Sequence, residues 1–249
     1  STTEGLLEAR KSPAPGVRWV AQDRLKRQDD VYEAVAAFLQ ANKANSYYQA
    51  RAVFLLAQLD DERGTAEVKA MLQSDDPQWR ITAFRALRFG EREPLLPLVE
   101  QLADDSSPAV RREVLAVMRD MEFERIRQPL EKLIAGYDGK NRWYLEALGA
   151  VFDEYPDEVY KQIVKPQQPN PTAWNERAQN LAWRLRSSDA RADLAECILA
   201  QKPEPATFRK LAYTFGLCYT DAERQQNLEI MKRFQSDEAF KSEDYQQTI

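Results

Sequence analysis

The stretch Asp76-Pro-Gln-Trp-Arg-Ile-Thr-Ala-Phe-Arg-Ala-Leu87 decides the fold. An acidic residue followed by proline is a helix start: the carboxylate caps the first free N–H groups, and proline fits the first turn, where no N–H is needed. Trp79, Ala83, Ala86 and Leu87 then fall at i, i+4, i+7 and i+8, one face of a helix. Phe89-Gly90-Glu91 breaks the pattern, with Gly90 read as the residue just past the helix end. A second helix follows, with Leu95, Leu98, Val99 and Leu102 on its buried face. Asp104-Asp105-Ser106-Ser107-Pro108 then starts the same unit again.

Working outward, the unit recurs seven times. Its anchors are Val17, Tyr48, Trp79, Val110, Trp143, Trp174 and Phe208, spaced 31, 31, 31, 33, 31 and 34 residues apart. Four residues on stand Ala21, Ala52, Ala83, Val114, Ala147, Ala178 and Ala212, mostly small. A methyl group at that point lets neighbouring helices approach closely. Two residues before the anchors stand Pro15, Ser46, Pro77, Pro108, Asn141, Thr172 and Ala206, mostly turn or helix-entry types. A period of this length predicts an all-α solenoid of about seven helical pairs, one array over residues 1–249. The anchors are expected in the core, so Trp79→Ala should cost about 3–5 kcal/mol.

Three segments depart from the period. Lys165 to Pro171 is proline-rich, yet the anchors on either side keep their 31-residue spacing, so residues 165–171 read as an irregular joint within the array. Residues 1–12 read as the second half of a preceding repeat, which leads us to expect an excised part of a longer protein. Residues 236–249 form a polar tail with Phe240 and Tyr245 as its aromatics.

Composition narrows the chemistry. There is no histidine, which removes the commonest general base and transition-metal ligand. Cys197 and Cys218 are the two cysteines, too few for a Cys-rich zinc site. They fall on helices expected to be neighbours, so a bridge is geometrically open, although buried free thiols are commoner. No glycine-rich phosphate loop is present. With 35 basic and 40 acidic residues the net charge is −5, which argues against nucleic acid as a partner. No apolar run has the length of a membrane span. No catalytic, cofactor or metal residue is expected.

The motif Asp/Ser-Pro-x-Val/Trp-Arg-x-x-Ala-x-x-Ala-Leu, carried by residues 76–87 and by Ser107-Pro-Ala-Val-Arg-Arg-Glu-Val-Leu-Ala-Val-Met118, resembles the HEAT-like repeat family, of the kind found in phycobilisome lyases. The resemblance implies a right-handed, curved α-α superhelix with second helices lining the concave face. It implies a surface that holds a protein or an adjoining domain of the same chain. A narrower stretch, Tyr137-Asp-Gly-Lys-Asn-Arg-Trp-Tyr-Leu-Glu-Ala-Leu-Gly149, with Trp174 and Ala182-Trp-Arg-Leu-Arg186, resembles the HEAT segment of large bacterial membrane-bound dehydrogenase-like proteins. In that family a β-propeller precedes the segment and a cytochrome c domain follows it, which implies a periplasmic or cell-envelope location. The haem motif Cys-x-x-Cys-His is absent from this sequence. Some HEAT-like proteins are instead tetrapyrrole-chromophore lyases or DNA glycosylases.

Two sets of side chains are candidate surface contacts. Arg18, Arg80, Arg111 and Arg209 each follow an anchor. They either form a ladder for an acidic partner or tie their own helix starts to acidic turns such as Asp104-Asp105, and the repeat register favours the second role. Trp19 and Trp183 lie off the anchor position and are the better candidates for exposure, as a carbohydrate-binding surface would require. Tyr47, Tyr48 and Tyr144 add aromatic surface near the first-helix starts.

Overall fold

The computed structural model describes residues 2–91 and 94–248. Ser1 and Ile249, the ends of the proposed half-repeat and of the polar tail, lie outside them. Helix α1 (Thr3–Ala9) is followed by pairs α2 (Pro15–Lys26) and α3 (Tyr32–Ala41), α4 (Ser46–Leu56) and α5 (Glu62–Ala70), α6 (Pro77–Gly90) and α7 (Leu95–Leu102), and α8 (Pro108–Met118) and α9 (Phe123–Ala135). The fifth pair joins α10 (Arg142–Phe152) to a composite helix. In it α11 (Pro156–Val159) passes through a π-helical turn at Tyr160–Val164 into α12 (Lys165–Gln167). Then come α13 (Glu176–Leu185) with α14 (Ser188–Gln201), α15 (Pro205–Ala212) with α16 (Asp221–Ser236), and a short α17 (Glu243–Gln246). The described residues contain no strand, and neighbouring helices such as α3 and α4, α4 and α6, and α13 and α14 pack on one another: an all-α solenoid of about seven helical pairs.

The chain forms two compact units, Ser1–Glu113 and Val114–Ile249. The division falls inside α8, not at the proline-rich segment. In the first unit Ala21, Ala52 and Ala83 are only 1, 2 and 0% exposed, which puts the small residue of the motif at the packed crossings. Helix starts follow the local code. Asp76 Oδ1 accepts from Gln78 N at 2.8 Å, and Asn45 Oδ1 from Tyr47 and Tyr48 N at 3.1 Å.

Gly90 has a different role from the one its position suggests. It is the last helical residue of α6, and Glu91 adopts the left-handed conformation at φ 55°. A Cβ on Gly90 would lie 2.3 Å from the Ala57 carbonyl oxygen at the end of α4, so the glycine serves close helix approach.

In the second unit the proline-rich joint is ordered. Trp174 is buried there, its indole N–H donating to the Gln168 carbonyl at 2.9 Å, while Gln201 Nε2 donates to the Trp174 carbonyl at 2.7 Å. The tail also packs. Phe240 is fully buried, with its ring centroid 5.0 Å from that of Phe208, and the Tyr245 hydroxyl donates to the Pro203 carbonyl at 3.0 Å.

The anchors divide. Val110, Trp174 and Phe208 are buried, and Tyr48 and Trp79 are half-buried. Trp79 stands in the first turn of α6, whose buried face is carried by Ile81, Ala83, Phe84, Ala86 and Leu87. The cost expected of Trp79→Ala therefore falls to about 1–2 kcal/mol. Val17 and Trp143 are exposed, against the expectation of burial. Val17 and Val20 line an open hollow with Gly5, Leu6 and Ala9 that the seven-residue α1 does not fill.

Trp143 is exposed because the register slips by one in the fifth repeat. In α2, α4, α6 and α8 the first helical residue lies two before the anchor. Asn141 is instead a cap, accepting from Tyr144 N, and α10 starts at Arg142. The residue two beyond that start is Tyr144, only 1% exposed, its hydroxyl donating to the Leu133 carbonyl at 2.8 Å. Ala147 is correspondingly half-buried while Leu148 is fully buried.

Candidate functional site

Three of the four arginines that follow an anchor first of all close their own turn. Arg18 Nη1 donates to the Ser12 carbonyl at 2.9 Å, Arg80 Nη1 to Ser74 at 2.7 Å and Arg111 Nη1 to Asp105 at 2.6 Å, each six residues back. Arg80 does more. Its Nε and Nη2 donate to Asp105 Oδ2 and Oδ1, both at 2.7 Å, with side chains only 10% and 7% exposed. This bidentate pair links the third repeat to the turn that opens the fourth. Its side-chain hydrogen bond to Asp105 holds Arg80 above the ordinary guanidinium pKa, against its burial. Arg209 is exposed.

At the position equivalent to Asp105, five residues before an anchor, the second repeat carries Lys43. Arg18 therefore lacks the acid that Arg80 receives. It lies instead in a cleft of about 650 Å³ on the first helices α2 and α4, with the end of α6. Among the described residues the lining includes Arg10, Arg18, Lys26 and Arg51, with Asp23 the one carboxylate. Asp23 is engaged by Arg27 at 2.9 Å.

The guanidiniums of this cleft are held by neutral acceptors. Arg10 Nη1 donates to the Arg18 carbonyl and Nη2 to the Arg51 carbonyl, both at 3.0 Å, and Arg51 Nη1 returns a bond to the Arg10 carbonyl at 2.8 Å. Lys26 Nζ reaches Gln58 Oε1 at 3.2 Å. Among the described residues no carboxylate lies within ion-pair distance of Arg10, Arg18 or Arg51. Burial, together with the like charges of Arg51 and Arg18, brings Arg10 down to about 10.

Aromatic side chains surround these charges. Trp19, Tyr47 and Phe89 line the cleft and are 69%, 75% and 62% exposed. Phe89 meets Phe54 edge-on with ring centroids 6.0 Å apart. Three large exposed aromatics gathered on one cleft are what interaction surfaces use, because each brings apolar area with little entropy to lose. Two of the predicted contacts, Arg18 and Trp19, thus meet in one site. Trp183 lies elsewhere, half-buried, with its indole N–H buried and without a hydrogen-bond partner.

Nothing in the repeat pattern marks Arg10, Arg51, Phe54 and Phe89 as members of a site. The signal was Lys43 standing where the fourth repeat has Asp105, an interrupted charge pairing visible only once the partner of Arg80 is known. The cleft also lies on first helices, whereas resemblance pointed to the second helices as the binding face.

The described residues hold no cluster of Cys, Asp or Glu arranged for a metal, and none of the helices is long and apolar enough to cross a membrane. Both cysteines are free. Burial pushes the Cys197 thiol up to about 11, and Cys218 Sγ accepts from Asn227 Nδ2 at 3.1 Å. A comparison with curated proteins finds no match. A family model described as HEAT repeats matches residues 35–116, from α3 into α8, a span that contains the α4 wall of the cleft and Phe89.

Proposed function

We propose that this chain is a non-catalytic protein-interaction module that docks its partner in the cleft on α2 and α4. The observation that carries the reading is the gathering of exposed Trp19, Tyr47 and Phe89 around arginines that have no acidic partner among the described residues. The HEAT-repeat match over residues 35–116 supports it, since stacked helical pairs present an ordered surface at little entropic cost. The partner is a separate protein or an adjoining domain of the same polypeptide, and the resemblance to exported bacterial dehydrogenase-like proteins suggests the cell envelope as the place of that meeting. A carbohydrate platform would use Trp19 in the same way, but the four cations lining the cleft favour a charged partner.

A photo-crosslinking amino acid at Tyr47, introduced in the producing cells, tests this. The expected result is one discrete product whose attached peptide mass spectrometry identifies. It should be lost with Trp19→Ala or Phe89→Ala and not formed from a probe at Tyr219, which is equally exposed in the second unit. The same products from both positions, or none, would reject the docking reading.

A further inference from the structure

Three buried guanidiniums elsewhere are compensated by a carboxylate, while the half-buried Arg177 is held by the Tyr137 and Ile134 carbonyls. Arg80 holds Asp105, Arg184 holds Asp153 at 2.8 Å, and Arg191 holds Glu223. Among the described residues the α2–α4 cleft gathers four cations against one carboxylate, and its buried Arg10 meets no acid, in a protein whose net charge is −5. Carbonyl oxygens satisfy hydrogen-bonding geometry there but do not neutralise charge. An incoming anion would offset the mutual repulsion of Arg10, Arg18 and Arg51 in a partly desolvated setting, where such pairs are stronger than on open surface.

The anion must also bring apolar surface. Phe54 and Phe89 form an edge-on pair at one side of the cleft, and Trp19 and Tyr47 stand beside the guanidiniums. A free inorganic anion would leave these rings in water. A nucleic acid needs a longer basic track than this single cluster supplies. A volume of about 650 Å³ accommodates a few side chains, within the usual range for ligand clefts.

We infer that the occupant is an acidic peptide segment of the partner, presenting an aromatic side chain to Trp19, Tyr47, Phe54 and Phe89 and its carboxylates to Arg18, Arg51 and Lys26. The inference rests on the docking reading above and specifies its chemistry. Arg10 is a positioning residue: buried, it joins the carbonyls of Arg18 and Arg51 and so ties α2 to α4.

Fluorescence anisotropy on the full chain tests it with three short labelled peptides: phenylalanine among aspartates, alanine among aspartates, and phenylalanine among lysines. The first should bind about tenfold or more tightly than the others. Its affinity should fall with added salt. Arg51→Gln and Trp19→Ala should each weaken it about tenfold. Trp19 is exposed, so its variant keeps the fold and remains decisive if Arg51→Gln does not. Equal binding of the three peptides, no binding of the first, wild-type affinity in Trp19→Ala, or displacement of the peptide by duplex DNA or anionic vesicles at lower concentration would each overturn the inference. If the peptides fail while the probe at Tyr47 still captures one partner, the acidic occupant is rejected and the docking reading stands. If both fail, both are rejected.

Discussion

Asp105 shows how one residue carries two links of the stack. Its carboxylate takes both Nε and Nη2 of Arg80 and accepts from Ser107 N at 2.8 Å, while its carbonyl takes Nη1 of Arg111. Removing the carboxylate leaves Arg80 buried without its counter-charge, which typically costs about 3–5 kcal/mol. Asp105→Ala should lower the urea midpoint accordingly, and Arg80→Met combined with Asp105→Leu should recover most of the loss. A single substitution costing less than about 1 kcal/mol would show that the pair is solvated. The register slip in α10 makes a second residue-scale prediction. Trp143→Ala should change stability by no more than about 0.5 kcal/mol, as for an exposed site. Trp174→Ala, with the ring buried in the proline-rich joint, should cost about 3–5 kcal/mol. The reverse order in denaturant melts would restore Trp143 to the core.

At the scale of elements, Gly149 is where α10 admits a side chain from α13. A Cβ there would come within 2.0 Å of Arg184 Cζ and Nε. That guanidinium reaches Asp153 at 2.8 and 3.0 Å and Glu146 at 3.3 Å. Gly149→Ala should therefore destabilise by about 1–3 kcal/mol, the usual cost of overpacking. The damage acts by displacing Arg184, so in an Arg184→Met background the same change should cost less, with a coupling of at least about 1 kcal/mol. Strict additivity in the double-mutant cycle would contradict this contact. Gly149 and Gly90 share one logic: both let a neighbouring group approach a helix where a Cβ would block it, and neither has a positive φ.

For the whole molecule, the absence of histidine shapes the response to pH. Burial alone would raise Asp153 and Glu223, but the hydrogen bonds and charges of Arg184 and Arg191 outweigh it and hold both below the ordinary carboxylate range. Asp61, Asp138, Glu204 and Asp237 are lowered too, by hydrogen bonds to their side chains. A carboxyl group whose folded pKa is depressed contributes stability that is fully present above its unfolded pKa and lost as pH falls through the folded value. The thermal midpoint should therefore be level from about pH 6 to 8 and fall below about pH 4. A marked slope between pH 6 and 8, followed by calorimetry, would contradict the assignment of these carboxylates as the main titrating groups.

By itself the sequence determined the period, the pairing of helices and the first-helix starts of the first four repeats. These depend on local spacing and on capping chemistry that neighbouring residues supply. It also excluded histidine-based chemistry outright. Tertiary structure alone decided which anchor faces inward in the fifth repeat, because one cap residue, Asn141, moves the start of α10. It alone explained Gly90 and Gly149, whose reason lies on other helices. And it alone assembled the cleft from Arg10, Trp19, Arg51 and Phe89, residues spread over three repeats and the half-repeat before them. A repeat pattern reports what every unit shares, whereas a binding site is built where the units differ, and that difference shows only when the partners of each charge are seen in space.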